Sequence, residues 1–163
     1  QATEVTHVLS EGDEAPDFEL EDQDGKAVKL SALRGSPVVL YFYPKADTPG
    51  CTTQACGIRD RSGEYETAGA TVLGVSPDKP TKLRKFADKY ALPFTLLADT
   101  EHEVADSYGA WVEKSMYGKK YWGNARATFV IDPGGKIARV FPKVSPKTHD
   151  DVVLEALEHL AAA

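Results

Sequence analysis

The chain has 163 residues, 42% hydrophobic and 27% charged, with 19 basic and 25 acidic side chains for a net charge of −6. That length fits one domain, residues 1–163, with a sizeable core, and the acidic balance argues against non-specific nucleic-acid binding. No apolar run approaches the ~20 residues that span a bilayer, so no membrane segment is expected.

Residues 1–12 read as a loose lead-in. Phe18–Leu20 and Val28–Leu30 flank the turn Asp22-Gln23-Asp24-Gly25, which predicts an N-terminal β-hairpin. The acidic turn lacks the ligand register and closing Glu of a calcium loop, so it reads as a turn only. Residues 38–43, Val-Val-Leu-Tyr-Phe-Tyr, are a continuous apolar β-rich run, the pattern of a central strand buried on both faces. A helix is expected to follow from about Pro49 to Tyr65. Residues 71–75 predict a second buried strand, ended by Ser76-Pro77-Asp78. Leu83, Phe86, Ala87 and Tyr90 recur at helical spacing and predict an amphipathic helix over 80–91. A short strand is expected at 95–97. Thr100 and Glu103 form a capping-box pattern for a helix through about Tyr108. Residues 111–123 read as an aromatic, glycine-containing loop. Strands at 128–131 and 137–141 are joined by Asp132-Pro133-Gly134-Gly135, and Thr148 and Asp151 cap a last helix with the stripe Val153, Leu157 and Leu160. The alternation predicts an α/β fold with strands buried between helices.

The cysteine count is informative. The only two, Cys51 and Cys56, are too few for a disulfide scaffold, and such a close pair suggests redox chemistry or metal binding in a cytoplasmic protein. The chain starts at Gln1 rather than Met, which leaves room for a removed targeting segment. His7, His102, His149 and His159 are dispersed and show no zinc-type spacing, so metal binding is disfavoured and the histidines read as surface or structural.

The segment from Tyr43 to Cys56, Tyr-Pro-Lys-Ala-Asp-Thr-Pro-Gly-Cys-Thr-Thr-Gln-Ala-Cys, leaves the central strand and enters a helix. Thr48 suits an N-cap and Pro49 the first helical position. Cys51 then falls in the first turn, beside amides with no helical partner and at the positive end of the helix dipole. That setting favours thiolate over thiol. An ordinary cysteine is about 3% thiolate at neutral pH, so complete ionisation gains only about thirtyfold in reactive sulfur. A fixed cation and hydrogen-bond donors aimed at the breaking bond are therefore also required.

Pro44-x-x-x-Thr48-x-x-Cys51 resembles the signature of peroxiredoxins, and Cys51-Thr52-x-x-x-Cys56 resembles the peroxiredoxin Q or bacterioferritin-comigratory-protein subgroup. The likeness runs from about Gly12 to Leu160. It includes Tyr41-Phe42-Tyr43-Pro44, Leu73-Gly74-Val75-Ser76, Met116-Tyr117-Gly118-Lys119 and Arg126-x-Thr128-Phe129-Val130-Ile131-Asp132. The resemblance implies a thioredoxin-like fold, with a central mixed sheet flanked by helices and an N-terminal hairpin extension. It also implies cofactor-free reduction of hydrogen peroxide and organic hydroperoxides. Cys51 matches the peroxidatic cysteine, which becomes a sulfenic acid. Cys56 matches the resolving cysteine, which closes an intramolecular disulfide. Thr48 matches the hydroxyl that meets sulfur and peroxide, Pro44 the residue that shields the sulfur, and Arg126 the guanidinium that polarises both. Thioredoxin or a similar dithiol is the implied reductant, and a monomer is the implied state.

The rival reading is a thioredoxin-like protein disulfide oxidoreductase. That class carries Cys-x-x-Cys and a cis-proline before a later strand, whereas here four residues separate the cysteines and the later segment reads Arg126-Ala127-Thr128. A third reading is a non-enzymatic redox sensor, chaperone or metal-binding module.

Overall fold

The computed structural model describes residues 9–162. His7 and the first part of the expected lead-in lie outside those residues. The described end of the lead-in is tied down: Gly12 donates its amide to the Ile137 carbonyl at 2.8 Å, and Ile137 donates to Asp13 at 2.8 Å.

Among the described residues, nine strands and five helices follow in chain order. The N-terminal hairpin is β1 (Glu19–Asp22) and β2 (Ala27–Lys29), and a 3-10 turn (Leu30–Leu33) leads to β3 (Val38–Phe42). Then come α1 (Pro49–Asp60), α2 (Ser62–Thr67), β4 (Thr71–Ser76), α3 (Pro80–Tyr90), β5 (Thr95–Ala98) and α4 (Glu103–Ser107). The chain ends with β6 (Trp111–Met116), β7 (Lys119–Asn124), β8 (Thr128–Ile131), β9 (Ile137–Phe141) and α5 (His149–Ala162). Among the described residues no helix is long and apolar enough to cross a membrane.

Seven strands form one mixed sheet in the order β2-β1-β5-β4-β3-β8-β9. β3, β4 and β5 run parallel, and β8 joins β3 antiparallel with Tyr41 opposite Thr128. Every residue of β3 is buried, because helices cover one face and a second apolar layer covers the other. Val39 and Tyr41 pack with Ile58, Leu83, Phe86, Val153 and Leu157 from the helices. Leu40 and Phe42 pack on the opposite face with Val104, Tyr108 and Phe129.

Three sequence expectations change. The helix from Pro49 breaks at Arg61, whose backbone (φ −109°, ψ 19°) closes α1 by donating to the Gly57 carbonyl before α2 begins. Thr100 does not cap α4: Asp99 does, accepting from the amides of Val104 at 3.2 Å and Ala105 at 2.9 Å. The expected loop over 111–123 is a β-hairpin of β6 and β7. Its two-residue turn has positive φ at both Tyr117 (53°) and Gly118 (78°), the primed geometry that matches strand twist.

Gly74 in β4 marks a close approach. A Cβ there would lie 2.8 Å from Cζ and 2.9 Å from the hydroxyl of Tyr41, a fully buried ring. Gly74→Ala is therefore expected to destabilise the fold by about 1–3 kcal/mol. Urea titration should show a lower midpoint with the slope retained, and an unmoved midpoint would show that the ring can yield.

Candidate active site

The site lies where β3 hands the chain to α1. Asn124, at the end of β7, donates its side-chain amide to the carbonyls of Tyr43 at 3.2 Å and Val75 at 3.3 Å, fixing the exit of the central strands. The loop that follows is anchored twice. The amide of Ala46 donates to Asp78 at 2.7 Å. Asp47 adopts φ 60° while its carboxylate accepts from Lys89 at 3.0 Å and the Tyr90 hydroxyl at 2.8 Å. The Lys89 and Tyr90 donors hold the Asp47 carboxyl below its ordinary range.

Thr48 is the N-cap in backbone terms, with φ −101° and ψ 156°. Its hydroxyl donates to the Lys45 carbonyl at 2.8 Å rather than accepting from a helix amide. Pro49, Gly50 and Cys51 are the first three helical residues, and Thr52 is the first whose amide returns to Thr48. The amides of Gly50 and Cys51 thus have no helical acceptor. Pro44 is half-buried between β3 and this turn.

Cys51 is 1% exposed, whereas Cys56, on the same helix, is partly exposed; both are free thiols. Arg126 reaches Cys51 from the segment between β7 and β8. Its backbone is pinned by the amide of Val144, which donates to its carbonyl at 3.0 Å. One guanidinium nitrogen, Nη2, lies 3.5 Å from the Cys51 sulfur, and the other, Nη1, donates to Gln54 Oε1 at 2.9 Å. A Cβ on Gly50 would stand 3.0 Å from Nη2, so glycine leaves the guanidinium its place over the first turn. Of the residues singled out in the sequence, Cys51 and Arg126 are in direct contact, Thr48 stands three residues before the sulfur, and Cys56 lies further along α1. Gln54 was not singled out. It is 1% exposed, and its polarity inside an otherwise apolar helix face was the available signal.

Arg126 also forms part of a cleft of about 680 Å³ with Val112, Lys114, Pro142, Val144 and Pro146. Burial, with added repulsion from Arg126, holds the Lys114 ammonium below the usual lysine range. The cleft is lined by valines and prolines, with Lys114, Arg126 and Lys143 contributing positive charge.

Residues 11–140 match the model of the AhpC/TSA family. The chain belongs to the AhpC/TSA family. It is 52% identical to the peroxiredoxin Bcp of Escherichia coli K12 over 153 residues, covering 94% of this chain and 98% of that one. Identity to the Bacillus subtilis peroxiredoxin Bcp is 46%, over 91% and 93% of the two chains. Among solved structures, peroxidoxin BcpB from Mycobacterium tuberculosis superposes with a TM-score of 0.84 at 39% identity, over 94% of this chain and 99% of that one. A PrxQ variant from Xylella fastidiosa gives 0.89 at 30% identity, over 96% and 99%. The protein is thus a peroxiredoxin with the thioredoxin fold, a thiol-dependent peroxidase that uses a peroxide and a thiol reductant.

Proposed function

We propose that this peroxiredoxin works by a two-cysteine cycle with Cys51 as the peroxidatic and Cys56 as the resolving thiol. The observation that carries the reading is the buried Cys51 sulfur in the first turn of α1 with the Arg126 guanidinium 3.5 Å away. Cys51 attacks one peroxide oxygen, the O–O bond breaks, and the second oxygen leaves as water or an alcohol after taking a proton. Cys51 is left as a sulfenic acid. Arg126 faces the negative charge that moves from sulfur to the departing oxygen. Because the Thr48 hydroxyl spends its proton on Lys45, its oxygen remains an acceptor for the peroxide O–H. Pro44 helps keep water from the sulfur. Cys56 then attacks the sulfenic sulfur, forming the S–S bond as the S–O bond breaks and water departs. A dithiol protein such as thioredoxin reduces the disulfide. A monomer in the cytoplasm, with no nucleic-acid or membrane partner, completes the proposal; two lone cysteines that can pair within one chain support it.

Stopped-flow mixing of the reduced protein with hydrogen peroxide and with an organic hydroperoxide tests the cycle. Oxidation far faster than that of a free thiol is expected, and a rate equal to a free thiol would overturn the assignment.

The cycle demands movement. On a regular helix, five residues turn the chain by about 500°, or roughly 140° net, and raise it about 7.5 Å, which sets the two Cα atoms roughly 8–9 Å apart. A disulfide needs them within about 7 Å with converging Cβ vectors. Since α1 is helical across both cysteines, closing the bond requires it to unwind. In the disulfide form, amides over residues 48–59 should lose protection from hydrogen exchange while those of β3 keep theirs. Unchanged protection in α1 with the bond present would refute unwinding.

A further inference from the structure

Behind α1 lies a buried polar cluster that the peroxide chemistry leaves unused. Asp150, the second residue of α5, is only 8% exposed. A buried carboxylate is costly unless it is bonded. Asp150 Oδ1 accepts from the Tyr65 hydroxyl of α2 at 2.5 Å and lies 3.5 Å from His149 Nδ1. His149 is fully buried and is itself braced by the central sheet: its Nε2 is 3.0 Å from the Thr128 hydroxyl, and its ring packs 5.7 Å from that of Tyr41.

The second oxygen of Asp150 faces α1. A Cβ on Gly57 would stand 2.7 Å from Oδ2, so the carboxylate fills the space where any larger residue would carry its side chain. Gly57 immediately follows Cys56. Glycine in a helix interior costs about 1 kcal/mol relative to alanine, and here it admits a charged group from another helix to the backbone beside the resolving cysteine. Burial and the Asp150 bond push the Tyr65 phenol far above its ordinary pKa, so it stays a donor. On the surface above, Arg61 at the end of α1 pairs with Asp151 at 2.6 Å and with Glu64 at 2.7 Å, drawing α1, α2 and α5 together at one point.

We propose that Asp150, held by Tyr65, is a positioning residue for the resolving step: its fit against Gly57 latches α1 in the folded form and so slows the arrival of Cys56 at oxidised Cys51. This rests on the two-cysteine cycle. The contact exists only while α1 is in place, so it stabilises the peroxide-reactive helix and not the unwound segment. Neither residue touches the sulfur or Arg126 in the hydrogen-bond network of the site. The latch therefore acts on the second step and leaves the first alone.

Tyr65→Phe removes the donor, and Asp150→Asn keeps the shape but replaces a charge-assisted bond with a weaker one. Either change frees the Asp150 carboxyl or amide group from its fixed pose against Gly57, and disulfide formation after a single peroxide pulse should be about three- to tenfold faster, the range for losing one such orienting bond. The preceding oxidation of Cys51 should stay within about twofold. Unchanged disulfide formation, or an equal change in both steps, would overturn the latch. Hydrogen exchange on the reduced variants reads the same device without peroxide. Amides of α1 should exchange faster while those of α3 do not, and an equal change in both helices, or none, counts against it. Should wild-type Cys51 prove unreactive toward peroxide, the cycle falls, and exchange still decides whether Asp150 holds α1.

Discussion

Cys51→Ser abolishes peroxide reduction, whereas Cys56→Ser retains the first oxidation and loses turnover. A serine hydroxyl does not ionise near neutral pH, so the substitution removes the nucleophile while changing little of the volume packed against β3. Cys56 stands on a partly exposed position of α1, outside the contact between Cys51 and Arg126. Its loss should leave the peroxide step at full rate and strand Cys51 as a sulfenic acid. The checks are stopped-flow oxidation, trapping of the sulfenic acid with a dicarbonyl probe, and NADPH consumption with thioredoxin and its reductase. A Cys56→Ser protein that failed the initial oxidation would reverse the two roles. Cys56→Ser should also over-oxidise readily, because no thiol intercepts the sulfenic acid before a second peroxide arrives.

Arg126→Ala lowers the rate of Cys51 oxidation by about 10²–10³, the range for removing one group that stabilises charge in a transition state. The guanidinium spans two partners, Gln54 through Nη1 at 2.9 Å and the sulfur through Nη2 at 3.5 Å. Arg126→Lys recovers only part of the loss, because a single ammonium cannot serve both partners in that fixed plane. The measurement is the second-order rate of the reduced protein with peroxide under excess peroxide. An Arg126→Ala protein that reacts at the wild-type rate would remove this residue from the mechanism. The Gly50 contact offers an independent view of the same geometry, since a methyl group there would press on Nη2.

The strands from Val38 to Phe42 and from Thr128 to Ile131 were legible because burial on both faces leaves an unbroken apolar run. The helix entry at Thr48-Pro49 was legible because proline and a small polar residue have few other uses in that order. What the sequence concealed depends on partners far away in the chain. The β6–β7 hairpin shows no apolar alternation: most of its residues are exposed, among them Tyr117 and Trp122. Its order comes from cross-strand pairing and from a Tyr-Gly turn that lacks the usual Asn-Gly signal. Thr48 was read correctly as a cap by position but not by bond: its hydroxyl is turned toward the Lys45 carbonyl and accepts from no helix amide. The cap of α4 moved to Asp99, which lies unassigned between the predicted strand at 95–97 and the predicted capping box at Thr100. Asp150 was silent for the same reason, and Gln54 gave only the weak signal of one polar residue among small apolar ones. A polar residue on a helix reads as solvated until the element that covers it is known, and their partners are 72 and 85 residues away.

The buried face of α1 consists of Cys51, Gln54, Ala55 and Ile58, and only the last two bring substantial aliphatic surface to the core beside β3. In the proposed two-cysteine cycle that modest patch would work as a return spring. Opening α1 exposes Ala55 and Ile58 to water, and each unwound residue regains about 1–2 kcal/mol of backbone entropy in partial compensation. The proposed disulfide would hold the segment open against the remainder. Once a reductant cut that bond, the same apolar surface would draw the helix shut again and return Cys51 beneath Arg126 with no further input of energy. The seven-stranded sheet is not required to move in that proposed cycle, so the enzyme would melt and rebuild one wall while its frame stays fixed.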